Sequence, residues 1–367
     1  MTLRPTALLA RASLLAAIAL VACKHGDDAA VDAGLGPGSY TQHRYDVAGL
    51  PARDYFVYVP KDPPDGALPL VVYLHGCQQD ATDAALGTRW NEEAQARGFI
   101  AVYPQQFRPG PDDVSGQTDG NGAGCWNWFE PTNWNRGAGE PATIAGIVQE
   151  VIATYAIDPA RVYVEGTSAG GMMASIMGAT YADLFAAIGV IEGGGYPAGT
   201  DPSGMLAAQA MAGHSTRMPV FVVQGTADEA DVYPLGVEAV QQWLATNDRL
   251  DDGMANASVS PLPASVEHHG LDASQISDLG PPGNLCAAPG HLASPCLGPA
   301  IGLQGSYPHS IEHYVDARGA SLVDFWTIYG LTHNYLSGNP EASFTDPLGP
   351  DITGAAYDFF MAHPRSS

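Results

Sequence analysis

Basic residues are scarce in this 367-residue chain. Lys and Arg together number 15, against 39 Asp and Glu, for a net charge of −24. A chain this acidic lacks the cationic surface that nucleic acid or an anionic membrane would demand. Cysteine is sparse too: Cys23, Cys77, Cys125, Cys286 and Cys296. Their spacings match no zinc site. The apolar run Ser13–Val21 is well short of the roughly 20 residues that span a bilayer. No internal repeat is evident. What remains is a chain with 46% hydrophobic residues, enough for one large core and one α/β domain.

The N-terminus reads as an export signal. Arg4 and Arg11 precede the apolar run, which ends in Leu20-Val21-Ala22-Cys23. That ending resembles the lipobox of bacterial lipoproteins, whose cysteine is acylated and becomes the mature N-terminus. Ordinary signal-peptide cleavage nearby, leaving a secreted protein, is the alternative. Cleavage before Cys23 removes two Arg and no acid, so residues 23–367 carry −26. Residues 23–42, polar with Gly and Pro, are expected to form a flexible tether before a single catalytic domain over 43–367. Setting Cys23 aside leaves four cysteines, suited to two disulfides in an oxidising compartment. Cys286 and Cys296 are close in sequence and predicted to pair, and Cys77 with Cys125 by elimination.

Apolar β-branched runs alternate with helical patterns along the chain. Strands are expected at Asp54–Val59, Leu68–Leu74, Phe99–Tyr103, Val162–Val164, Ala186–Ile191, Val220–Val223 and Leu322–Tyr329. Helices are expected at Thr82–Arg97, Thr143–Tyr155, Ala169–Ala179, Gly236–Asn247 and Ile352–Met361. This order argues for a mostly parallel sheet flanked by helices on both faces. The segments 105–139 and 251–310 read as long loop insertions that wall an active site.

The chemistry centres on Val162-Tyr163-Val164-Glu165-Gly166-Thr167-Ser168-Ala169-Gly170. A strand, then Gly-x-Ser-x-Gly, then a helix, is the context of a nucleophile elbow. Glycines at 166 and 170 let the turn approach its neighbours, and Ser168 is exposed at the tip. The bland alternative is a Gly-rich turn with an ordinary serine. Such a serine needs a base and an orienting acid, in the chain order Ser, Asp, His. Asp228 ends the run Val222-Val223-Gln224-Gly225-Thr226-Ala227 at the carboxyl edge of a strand, where open α/β sheets build their sites. Asp231 and Glu229 compete with it. His333 follows the last strand, whereas His309 and His313 precede it and His363 lies at the tail. The oxyanion hole is assigned to the backbone N–H groups of Ala169 and Cys77, the latter following Leu74-His75-Gly76. In the loop Cys125-Trp126-Asn127-Trp128-Phe129, Trp126, Trp128 and Phe129 are either a core plug or, with Gln78, a substrate wall.

These residues together resemble the polyhydroxybutyrate depolymerase family of α/β-hydrolase esterases. The matching segments are Val71–Gln78, Cys125–Phe129, Gly139-Glu140, Gly166–Met172, Gly225–Asp228 and Thr345–Asp351 with Phe359-Phe360. They span roughly 45–362. The resemblance implies a Ser168-Asp228-His333 triad, secretion, and hydrolysis of 3-hydroxyalkanoate esters. His333 departs from the family's Gly-His setting, standing in Thr332-His333-Asn334-Tyr335. An appended polymer-binding domain, common in secreted depolymerases, is not expected here. Feruloyl and acetylxylan esterases, which share elbow and triad, are the alternative reading. A non-catalytic ligand-binding surface lipoprotein is the third. No metal or organic cofactor is required; the Asp/Gly/Asn run at 112–121 is better explained as turns than as a calcium site.

Overall fold

A computed structural model describes residues 35–109, 119–199, 201–215, 217–231, 234–279 and 306–365. The lipidation candidate Cys23, the pair Cys286 and Cys296, and most of the 112–121 run lie outside the described residues. The elements in chain order are β1 (Ser39–Tyr45), β2 (Arg53–Val59), β3 (Leu68–Leu74), α1 (Ala81–Thr88), α2 (Trp90–Arg97) and β4 (Ile100–Pro104). Next come α3 (Gly139–Thr154), β5 (Ile157–Thr167), α4 (Ala169–Thr180), β6 (Ala187–Ile191), α5 (Met205–Met211), β7 (Val220–Gly225) and α6 (Pro234–Asp252). The chain closes with β8 (Ser265–His269), α7 (Ala273–Asp278), β9 (His309–Val315), β10 (Ser321–Ile328), β11 (Tyr335–Leu336), β12 (Thr345–Asp346) and α8 (Ile352–Ala362).

Ten strands form one sheet in the order β1-β2-β4-β3-β5-β6-β7-β10-β9-β8. From β4 to β10 the neighbours run parallel. Both flanks are antiparallel. All seven residues of β3 are buried, as expected of a strand covered on both faces. Its side chains alternate between two cores. Leu70, Val72 and Leu74 join the cluster filled by α3, α4, α5 and α6. Val71 and Tyr73 join the cluster filled by α1, α2 and α8. The parallel strands β3, β5, β6, β7 and β10 therefore all end at one edge, and the segments that follow them meet there.

Three departures from the sequence reading have local causes. The helix expected over Thr82–Arg97 breaks at Arg89, whose φ of 61° is left-handed. The break exposes the Gly87 carbonyl to the Asn339 N–H at 2.9 Å, so the loop before β12 docks against the end of α1. β1 starts inside the segment expected to be tether, where Tyr40 stacks on Phe56 and the strand pairs along all of β2. The segment 251–310 is not one irregular insertion. Its described parts contribute β8 and the start of β9, which extend the sheet beyond β10.

Candidate active site

β5 delivers Ser168 in a conformation that few non-glycine residues adopt, with φ 58° and ψ −125°. Such backbone costs about 1–3 kcal/mol and persists only where the surroundings impose it. Here the Ser168 N–H donates to the Ile191 carbonyl at 2.9 Å, and the Ser168 carbonyl accepts from Met172 N–H at 3.0 Å to open α4. A Cβ on Gly170 would overlap the Leu74 carbonyl, and one on Gly166 would overlap the Gly170 backbone. The two glycines are thus required by the approach of β3, β5 and α4, as the motif predicts.

Asp228 and His333 arrive from the ends of β7 and β10. The His333 Nδ1–H donates to Asp228 Oδ2 at 2.8 Å. Asp228 is 5% exposed, and its Oδ1 accepts from the N–H groups of Ala230 and Asp231 at 2.8 and 3.0 Å. Burial alone would raise its pKa. The hydrogen bonds from His333 and Glu192 and the histidine's charge reverse this and hold it at about 2. Burial likewise pulls the His333 pKa down, but the bond to Asp228 and the charges of Asp228 and Asp231 lift it above 6.5.

The competitors sit elsewhere, with one exception. Glu229 is exposed. His309 stacks between His269 and Trp326, His313 Nδ1 is engaged by Asp324 at 2.8 Å, and His363 Nδ1–H is held by the Phe359 carbonyl at 2.7 Å. Asp231 is the exception. It does not orient the imidazole, but it is half-buried, and burial raises its pKa while the charge of His333 is among the effects that lower it.

The segment after β3 lies against the nucleophile: a Cβ on Gly76 would stand 3.4 Å from the Ser168 Cβ. The Gly76 N–H donates to Gln79 Oε1 at 2.9 Å, and the Gln78 N–H to the Ala123 carbonyl at 2.7 Å. The Cys77 amide lies between these two occupied donors, as the Ala169 amide follows the occupied Ser168 donor. Cys77 and Cys125 form a disulfide, as expected. It ties this segment to the aromatic loop. Glu140, 2% exposed, holds that loop from behind. It accepts from Asn127 N–H and Asn127 Nδ2–H at 2.8 Å each, from Arg53 at 3.1 Å, and from Gln106.

Trp126 is corrected. It is fully buried and packs tilted against His75, so no substrate can reach its ring; it is the core plug of the two alternatives. Trp128 is half-buried, its carbonyl accepting from Trp134 Nε1–H at 2.7 Å. Phe129 is 48% exposed, and Gln78 is exposed in a left-handed turn of φ 66°. These three keep a surface that a substrate can touch.

Glu192 was not anticipated from the sequence. It follows β6 directly and is fully buried. An acid at the carboxyl end of a parallel strand was the available signal. Its side-chain oxygens accept from Gly225 N–H at 3.0 Å and Gln224 Nε2–H at 2.7 Å. One polar atom from each of Glu192, Asp228 and His333 falls within a 4.8 Å cluster. Nitrogen donors already engage both carboxyl groups, so the trio reads as a hydrogen-bonded relay and not as a cation cage.

The family model described as Esterase PHB depolymerase matches residues 53–264, more than half of the chain. The chain belongs to that family. Poly(3-hydroxyalkanoate) depolymerase C of Paucimonas lemoignei is 29% identical over 309 residues, 82% of this chain and 59% of the relative. Feruloyl esterase B of Neurospora crassa is 39% identical over 119 residues, 32% of this chain and 36% of the relative. The chain therefore spans less than two thirds of the length of these curated relatives. Among solved structures, an acetyl xylan esterase from Aspergillus awamori superposes with a TM-score of 0.55 at 20% identity, covering 88% of this chain and 99% of that one. That likeness bears on the fold, which is the α/β-hydrolase fold. Among the described residues no helix is long and apolar enough to cross a membrane.

Proposed function

We propose that this family member is a serine esterase that cleaves the ester bonds of poly(3-hydroxybutyrate) or its oligomers. The observation that carries the mechanism is the Asp228–His333 pair, 2.8 Å apart, converging with the strained Ser168 at one sheet edge. With Nδ1 committed to Asp228, His333 presents Nε2 as the base. The Ser168 hydroxyl attacks the ester carbonyl carbon, and its proton passes to Nε2. The Cys77 and Ala169 N–H groups hold the developing oxyanion; each such donor is worth about 3 kcal/mol of barrier. The carbonyl re-forms, the ester C–O bond breaks, and the leaving 3-hydroxy oxygen takes the proton from Nε2. Water then attacks the acyl-enzyme, giving one proton to His333, which returns it to Ser168. Asp228 stays ionised throughout and keeps the imidazole in its working tautomer.

The choice of polyester over plant cell-wall ester rests on coverage: the depolymerase relative aligns along 82% of the chain, the feruloyl esterase along 32%. Phe129, Trp128 and Gln78 are proposed to contact the acyl chain. Export through residues 1–22 with acylation of Cys23, and a second disulfide between Cys286 and Cys296, belong to the same proposal. The mass of the mature N-terminal peptide and a thiol count on the unfolded protein test them. The substrate is tested by release of soluble 3-hydroxybutyrate from amorphous poly(3-hydroxybutyrate) by protein 24–367 beside Ser168→Ala. Release that vanishes in the variant supports a depolymerase. No release, with Ser168-dependent cleavage of ethyl ferulate or acetylated xylan, moves the substrate to the carbohydrate esters.

A further inference from the structure

We infer that Glu192 is a positioning residue of the reaction: as a neutral acid it donates a hydrogen bond to the Asp228 carboxylate and fixes that carboxylate for His333. The inference rests on the triad reading above.

The geometry decides which of the two acids holds the proton. Both are buried, Glu192 completely and Asp228 at 5% exposure. Carboxyl groups this close in a low-dielectric site cannot both ionise. Asp228 has three nitrogen donors of its own, His333 Nδ1 and the backbone N–H of Ala230 and of Asp231. Glu192 has one, the Gly225 N–H, and the Gln224 Nε2 group is shared, 2.7 Å from Glu192 and 3.1 Å from Asp228. The charge therefore settles on Asp228 and the proton on Glu192. Burial first, then the hydrogen bond and charge of Asp228, push the Glu192 pKa well above the carboxylate range. The residue is also held in place by its backbone. Its φ is 47°, and its N–H donates to the Val223 carbonyl at 2.9 Å. This aims the side chain between the ends of β6 and β7. Gln224 Nε2 clamps the assembly by also donating to the Asp231 carbonyl at 2.7 Å.

The consequence is electrostatic as well as geometric. The groups facing this pair are His333, Asp231 and Gln224. A donated proton spreads the Asp228 charge and limits how far it raises the imidazole pKa. Glu192→Leu removes the donor, so His333 should stay protonated to higher pH. The same change frees the carboxylate to rotate, and misplaced catalytic groups commonly cost on the order of 100-fold. Glu192→Gln retains an N–H to donate.

The test uses hydrolysis of p-nitrophenyl butyrate as a function of pH by wild type, Glu192→Gln, Glu192→Leu and Ser168→Ala. The expected result for Glu192→Leu is a kcat lower by about 10- to 100-fold, with the acid limb of kcat/KM moved to higher pH. Glu192→Gln is expected to recover most of kcat. An unmoved acid limb in Glu192→Leu, or a Glu192→Gln as impaired as Glu192→Leu, overturns the inference. Infrared difference spectra of wild type minus Glu192→Gln at neutral pH give a second reading that needs neither activity nor the Leu variant to fold. A protonated carboxyl band assigned to Glu192 supports the inference, and its absence overturns it. Activity retained by Ser168→Ala would instead overturn the triad reading, whatever the infrared band shows.

Discussion

Glu165 should make the fold lose stability as pH rises from acid to mildly alkaline. It sits on β5 just before the elbow and is fully buried. Its Oε1 accepts from Trp90 Nε1–H at 3.1 Å and Tyr335 O–H at 3.2 Å, while Oε2 is buried without a partner among the described residues. Burial raises the pKa from 4.5 to about 8, against the lowering effect of the two hydrogen bonds. The folded state thus keeps this proton while the unfolded chain releases it. Its contribution is fully present below pH 4.5 and is lost as pH rises through about 8. At 1.36 kcal/mol per pKa unit, the loss totals about 5 kcal/mol. Glu165→Gln removes the titration. Urea unfolding at a series of pH values, extrapolated to water, should show wild type losing stability relative to the variant by several kcal/mol between pH 5 and 8.5. A wild-type minus variant difference that stays constant across that range would refute the reasoning.

Asp231→Asn removes a charge that raises the His333 pKa, so the acid limb of kcat/KM should move to lower pH in a pH–rate profile. Asp228→Asn should lower kcat by about four orders of magnitude, since the wrong imidazole tautomer then faces Ser168; KM should change little. The Cys77–Cys125 bridge closes a loop of 48 residues. Cys77→Ser with Cys125→Ser should cost up to about 4 kcal/mol in urea unfolding by the loop-entropy argument, and should lower kcat more than KM because the Cys77 N–H loses its anchor.

The parts of the molecule that were legible in sequence are those governed by local rules. The buried run of β3 and the elbow glycines state their constraints within a few residues. So does the strand that runs into Gly225-Thr226-Ala227-Asp228. The parts that were not legible depend on distant partners. β8 and β9, reading Ser-Val-Glu-His-His and His-Ser-Ile-Glu-His-Tyr-Val, carry too many polar residues for an apolar strand signal; they form because β10 offers an edge to pair with. The break at Arg89 answers a loop that docks about 250 positions later. Trp126 looked equally like a wall or a plug, and its packing against His75 decides. Asp231 looked like a rival of Asp228, whereas in the fold it acts on His333 through its charge and not as the hydrogen-bond partner of the imidazole. Glu192 shows the limit most plainly, because its meaning comes from Asp228 and Gln224, which reach it from β7.

The central claim is that Ser168 is the nucleophile of an ester hydrolase. The most direct measurement is mass spectrometry of peptides from the protein after reaction with a fluorophosphonate, beside residual esterase activity. The account predicts a single adduct on Ser168, formed in proportion to lost activity and absent from Ser168→Ala. Activity that survives complete labelling, or an adduct on another residue that accounts for the loss, would contradict it.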